Sequence, residues 1–262
     1  MTKNLKVSSL SAAMDGGLTA IADVSAVLAE AGATDQSRLI GGVTVVLHQQ
    51  RLALDLALRA TGDADFGVTP YLLRNTALVA AIESRGYKKV LGNRWERPID
   101  SIRVATVDLL IPAYRTRARD TVRVGRVVTT EVPGLAEALR RPGIEVTVDL
   151  TFTDGSVTTA RVMIPDAAAT LGLKTWARTV RREDRDAHDL WTCLEIALAD
   201  GVTVETLQSD PTMGAIVPIL QRELGTAGAA LDVITRGLST DEAARRRTRI
   251  RALLATVAGL EG

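Results

Sequence analysis

Hydrophobic and polar positions keep one rhythm as far as about Pro165 and another beyond it. Residues 18–31 carry apolar side chains at helical spacing, with Gly32 as the stop. Leu39-Ile40 reads as a strand end running into the turn Gly41-Gly42. Residues 43–58 read as a helix, because Leu47, Leu52, Leu54 and Leu58 space better at 3.6 than at 2. Polar and apolar residues alternate over 63–68 and predict a strand, and Pro70 opens a helix over 71–84 that Gly86 closes. Strands are predicted over 88–91, 102–111 and 122–128, with a polar turn around Gly92-Asn93. A short helix over 135–140 leads to a hairpin of 144–152 and 157–164 across Thr153-Asp154-Gly155.

After Pro165 the period becomes helical throughout: 167–182, 185–199, 213–224 and 240–258. Asp241 and Glu242 suit the start of the last helix, although Thr240 with Ala243 is not a full capping box. The expected fold class is α/β, with a mixed β-sheet domain over 1–165 and a helical domain over 166–262.

Composition narrows the function classes. The 262 residues are 46% hydrophobic and 24% charged, enough for a sizeable core. Lys+Arg 32 against Asp+Glu 31 leaves a net charge of +1, so any contact with nucleic acid must come from local clusters. Aromatics at 3% argue against a base-stacking RNA module. The single Cys193 excludes an internal disulfide, and His48 and His188 are too few for a histidine-built metal centre. The first residues lack the apolar core of a signal peptide, and the apolar run 39–47 is roughly half a membrane span. The expectation is a soluble, cytoplasmic protein.

Three pieces carry chemistry. Gly41-Gly42 stands between a strand and a helix, where glycine lets backbone N–H groups approach phosphate. Asp63 and Asp65, two apart on a strand, project to one face. Asp108 interrupts an apolar strand, where a carboxylate is costly unless paired or metal-bound. Converging carboxylates make an oxygen site for a hard cation such as Mg²⁺ or Mn²⁺. Alone, each piece also has a structural reading: a turn, a solvated strand edge, a satisfied core acid.

Their order resembles that of polymerase-β-like nucleotidyltransferases. Arg59-Ala60-Thr61-Gly62-Asp63-Ala64-Asp65-Phe66 resembles the first signature of the AbiEii/AbiGii family of nucleotidyltransferase-like toxins. Lys174, then Arg182 and Arg185-Asp186-Ala187-His188-Asp189-Leu190, resembles its second. The resemblance spans about residues 39–195. The stretch from Gly42 to Arg59 is longer than in the family, and Arg185 stands where many members have lysine; neither departure removes an acidic or phosphate-binding group.

The resemblance implies a nucleotidyltransferase fold, and a metal-dependent toxin of a toxin–antitoxin or phage-defence pair with a separately encoded antitoxin. It would move a nucleoside monophosphate from an NTP to RNA, chiefly the acceptor end of tRNA. Metal ligands would be Asp63, Asp65 and Asp108. Gly41, Gly42, Arg59, Thr61, Lys174 and Arg182 would bind nucleotide, and Lys174, Asp186 and Asp189 would join the catalytic set, so that the helical domain completes the active site. Small-molecule or protein acceptors, and a non-catalytic binding protein, are the alternatives.

Read without the resemblance, Lys174, Arg178, Arg181 and Arg182 make one basic helix face. Asp186 and Asp189 could orient Lys174, contact the donor base or ribose, or pair with Arg182 and Arg185. The run from Arg245 to Arg251 is either a solvated face or an RNA-backbone patch, with Arg245, Arg246 and Arg249 outward and Ile250, Leu253, Leu254 and Val257 inward.

Overall fold

The structure is a computed structural model, and it describes residues 4–57, 61–114 and 118–260. The chain forms two compact units, Met1–Asp166 and Ala167–Gly262. It is α/β, with mixed sheets confined to the first unit and about half of the chain helical.

In the first unit β1 (Leu5–Ser8) leads into α1 (Ala12–Glu30), whose N-terminus is capped by the Ser11 hydroxyl accepting the Met14 N–H. Then come β2 (Ser37–Ile40), α2 (Gly42–Arg51), β3 (Ala64–Val68), α3 (Pro70–Arg74), α4 (Thr76–Ser84), β4 (Lys88–Leu91) and β5 (Arg94–Pro98). They are followed by β6 (Val104–Pro112), β7 (Val122–Val124), β8 (Val127–Val132), α5 (Leu135–Arg140), β9 (Ile144–Thr151) and β10 (Val157–Ile164). The smaller sheet has the order β1-β9-β10, and the larger runs β2-β3-β6-β5-β4, with β8 also on β6 and β7 on β8.

Helix α1 joins the two sheets in one core. Its Leu18, Ile21 and Val24 pack with Phe66, Val107 and Leu109 of the large sheet and with Val148, Leu150 and Val162 of the small one. Gly16 allows this approach, since a Cβ there would lie 2.0 Å from the Val104 carbonyl oxygen. By length and hydropathy α1 could cross a membrane, but most of it is buried in this core. Asp15, fully buried in its first turn, accepts from the Thr153 N–H (3.0 Å) and hydroxyl (2.6 Å), tying the helix to the β9–β10 turn. Burial pushes this carboxyl up, but the Thr153 and Ser9 hydrogen bonds and Arg103 outweigh it and hold its pKa below the usual value.

The second unit is helical: α6 (Ala167–Val180), α7 (Asp184–Ala199), α8 (Val204–Gln208), α9 (Pro211–Gly214), α10 (Val217–Leu224), α11 (Ala229–Thr235) and α12 (Thr240–Ala258).

Several local expectations change. The helix expected over 43–58 stops at Arg51: Ala53 takes φ +52°, and half-buried Leu52, Leu54 and Leu56 then alternate with exposed residues, a period of two. The helix over 71–84 breaks at Asn75, whose side chain accepts the Ala77 N–H and starts α4. Residues 122–128 are parts of two strands turned at Gly125 (φ +59°). Residues 213–224 divide because Pro218 opens a new helix, α10. The last helix has a full capping box after all, one residue earlier, between Ser239 and Glu242. The polar stretch after Asn93 is strand β5, not part of a turn, and it changes the site.

Candidate functional site

Register places the acidic residues in one row. Asp65 on β3 sits across from Asp108 on β6, and Asp108 across from Arg94 on β5. Residues paired in register share a face, so these three side chains project away from the core face of Phe66, Leu109 and Trp95. Asp63 lies immediately before β3. One oxygen from each of Asp63, Asp65 and Asp108 lies within 4.8 Å of the others; Asp108 is buried and the other two are half-buried. The expected convergence of these three carboxylates is therefore observed.

The Gly-Gly turn meets the row from the β2 side. Gly41 has φ +82° and ψ −153°, a conformation open to glycine, and a Cβ there would lie 2.1 Å from Asp65 Oδ2. Gly42 is the first residue of α2, whose N-terminus no side chain caps. Backbone N–H groups and the positive end of a helix thus stand beside Asp65. Thr61 is buried and its hydroxyl lies 3.3 Å from Asp63 Oδ1, so it holds a carboxylate in place. Arg59 lies outside the described residues.

Arg94 is the residue that the sequence did not single out. Its Nε and Nη2 donate to Asp108 Oδ1 (3.2 Å) and Oδ2 (3.0 Å), and Nη2 is 3.6 Å from Asp63 Oδ2. The hydrogen bonds to Asp108 raise its pKa further, so it is a permanent cation within the carboxylate cluster. No strand is predicted between the Gly92-Asn93 turn and residue 102, so nothing marks Arg94; an arginine two residues after Gly92, opening a strand, is the available signal. An all-oxygen donor set with a glycine where any Cβ would press on Asp65 fits a hard divalent cation. Arg94 already supplies part of the neutralising charge.

The second unit holds the other expected residues. Lys174 Nζ is 2.7 Å from Asp189 Oδ2, and both side chains are buried (7% and 5% exposed). Asp186 is buried, with Oδ1 3.6 Å from Arg181 and no hydrogen-bond partner for Oδ2 among the described residues. Arg178 donates to Glu223 at 3.1 Å in an equally buried pair. The basic face expected on α6 is therefore not a face: Lys174 and Arg178 point into the unit, and Arg182 lies past the helix end, exposed. Of the two acids, Asp189 is the one paired with Lys174. Cys193 is buried and its thiol is pushed up to about 12 by burial, which makes it inert.

Helix α12 packs through Ile250, Leu253, Leu254 and Val257 as expected. Its arginines are less available than expected: Arg249 is paired bidentately with Glu195, and Arg246 stacks 3.8 Å over the Trp191 ring. Arg245 is exposed. His48 is a packing residue, buried, with Nε2 2.9 Å from the Pro165 carbonyl oxygen, and His188 is exposed.

No family model matches the chain, and no curated protein matches it.

Proposed function

We propose that the chain has the nucleotidyltransferase fold and is a metal-dependent nucleotidyltransferase, moving a nucleoside monophosphate from an NTP to an RNA acceptor, with the tRNA acceptor end preferred. The observation that carries this reading is the convergence of Asp63, Asp65 and Asp108 beside the Gly41-Gly42 turn. A role as the toxin of a toxin–antitoxin or phage-defence pair, acting in the cytoplasm with a separate antitoxin protein, follows from the same reading and rests on the resemblance of the two signatures.

A cation held by the three carboxylates would supply charge neutralisation at a phosphoryl group and make a bound hydroxyl more acidic. The chain's own part is positioning and electrostatics. Asp63 and Asp65 hold charge on the donor side, and α2 offers N–H groups to phosphate oxygens. Asp108, on the far side of the row, accepts the proton of the acceptor hydroxyl. Lys174 enters by its chemistry alone, as a cation suited to a triphosphate.

The bidentate Arg94–Asp108 pair favours a second reading, a binding protein whose carboxylates are satisfied by arginine. Incubation with each labelled NTP, Mg²⁺ and total RNA separates the two. Transfer predicts labelled RNA and released pyrophosphate, both lost in Asp63→Asn with Asp65→Asn. No label from any NTP, with the protein folded, overturns the enzyme reading.

A further inference from the structure

The large sheet forks at β6. Strand β5 pairs with its first half and ends with Arg94 opposite Asp108; β8 takes the same edge from Leu110 onward. In the fork, between the β4–β5 turn and the β7–β8 hairpin, lies a cavity of about 780 Å³, within the usual range for a small-molecule site. Asp108 and Arg94 line it, together with Lys89, Asn93, Asp120, Val128 and Thr130. The Thr130 hydroxyl donates to Asn93 Oδ1 (3.0 Å), and Asn93 O accepts the Leu109 N–H, which fixes the polar wall to β6.

Two features say what such a site would take. The first is direction. The α2 N-terminus meets the carboxylate row from the β2 side, at Asp65, whereas the cavity meets it from the β5 side, at Asp108. Groups brought to the row from these two sides face each other across it, as an in-line displacement requires. The second is charge. Lys89 on one hairpin and Arg123 on the other form no ion pair among the described residues, and Lys89 has its pKa lowered by burial and by the charge of Arg123. Once cations take Asp108, Arg94 joins Lys89 as a cation on the lining, with Arg123 across from the lining Val128 and Asp120 as the other lining acid among the described residues. An anion relieves that crowding; a neutral sugar or a protein hydroxyl does not.

We propose that this cavity binds the acceptor, that the acceptor carries a phosphate group, and that Arg94 passes from Asp108 to that phosphate when cations occupy the carboxylates. The inference rests on the nucleotidyltransferase reading of the row. In the transfer, the acceptor hydroxyl oxygen bonds to the α-phosphorus, the bond from that phosphorus to the bridging oxygen breaks, pyrophosphate leaves, and the hydroxyl proton passes to Asp108.

The test uses the whole chain, Mn²⁺ by calorimetry, and a fluorescein-labelled octaribonucleotide by anisotropy, with AMP and adenosine as competitors. Mn²⁺ should tighten oligonucleotide binding about tenfold, and Lys89→Gln with Arg123→Gln should weaken it about tenfold, as loss of charge-assisted contacts does. Val128→Trp, which fills the cavity, should act like the double variant. AMP should displace the probe and adenosine should not. Displacement by AMP without oligonucleotide binding (followed then by direct titration of AMP) identifies a free nucleotide as the source of the phosphate, and oligonucleotide binding identifies a chain end. Arg94→Gln should bind Mn²⁺ more tightly than wild type while losing the Mn²⁺-dependent gain. Unchanged affinity in both cavity variants, or equal competition by adenosine, overturns the proposal even if wild type transfers label. Wild type that binds no Mn²⁺ at millimolar concentration overturns the reading of the row itself, and the Arg94 exchange with it.

Discussion

The two units each hold a cluster of opposite charges built from the same residue types, and the clusters obey different physics. In the first unit Arg94 and Asp63 are 42% and 44% exposed, Asp108 is 11% exposed, and Arg94 reaches both of these carboxylates. In the second, Lys174–Asp189 and Arg178–Glu223 are pairs with every side chain at 7% exposure or less, and Glu223 also meets the more exposed Arg222. Water reaches Arg94 and Asp63, so the arginine can leave Asp108 at small cost once another cation takes its place on that more buried carboxylate. The second is locked: removing one partner strands a charge in a low dielectric. Residue type alone therefore does not separate a site from a scaffold; exposure and charge balance do.

The largest expected effect tests the locked side. Arg178→Met should cost about 3 kcal/mol of unfolding free energy in urea, the low end for a broken buried pair, because buried Glu223 keeps only the more exposed Arg222 at 3.3 Å. A loss below about 0.5 kcal/mol, the range of ordinary surface substitutions, would break the comparison. Lys174→Met should behave similarly, which would confound any activity assay of Lys174 alone. Lys174→Met with Asp189→Leu removes both charges and should recover most of the stability; a folded double variant that has lost transfer would give Lys174 a function beyond packing.

On the open side, Asp63→Asn should lower transfer about 10²–10³-fold, the usual scale for losing one electrostatic contributor, while its stability stays within about 0.5 kcal/mol of wild type. Full activity in that variant would make the row as structural as the buried pairs. Gly41→Ala should cost about 1–3 kcal/mol from the φ +82° backbone and weaken Mn²⁺ binding, since the new Cβ presses on Asp65; calorimetry with urea melts reads both.

The last expected effect concerns a buried acid that belongs to neither cluster. Asp15→Ala should cost about 1–3 kcal/mol at neutral pH, because the Thr153 N–H loses its acceptor. Its folded pKa is depressed, so this stabilisation is present above the ordinary carboxylate value and is lost as pH falls through the lower folded value. Wild type and variant should therefore converge in acid. A gap that persists there would show that packing, not ionisation, carries it.

Much of this was legible along the chain. The DxD strand and the acid on a later apolar strand declared themselves because period two fixes which side chains share a face, the β9–β10 hairpin followed from its turn residues, and α12 from its helical period and the acids of its first turn. Arg94 did not declare itself. Its strand has charged residues at Arg94, Glu96 and Arg97, so no hydrophobic alternation marks it, and what makes it a strand is pairing with β6. The basic face of α6 failed for a related reason. Spacing of three and four is the same for a wet face and for a face buried against Asp189 and Glu223.

By itself, then, the sequence determined the local geometry: which residues alternate, where helices start, and that Gly41, Asp63, Asp65 and Asp108 carry unusual backbone or charge for their places. Tertiary structure decided every question of neighbourhood. Register set Asp65, Asp108 and Arg94 in one row, the fork at β6 opened the cavity beside them, and packing buried Lys174 and Arg178 with acids of their own. The physical reason is range. Backbone propensity and periodicity act over a few residues, whereas the pairing of a charge depends on partners 14, 15 or 45 positions away that only the folded chain brings within 3 Å or so.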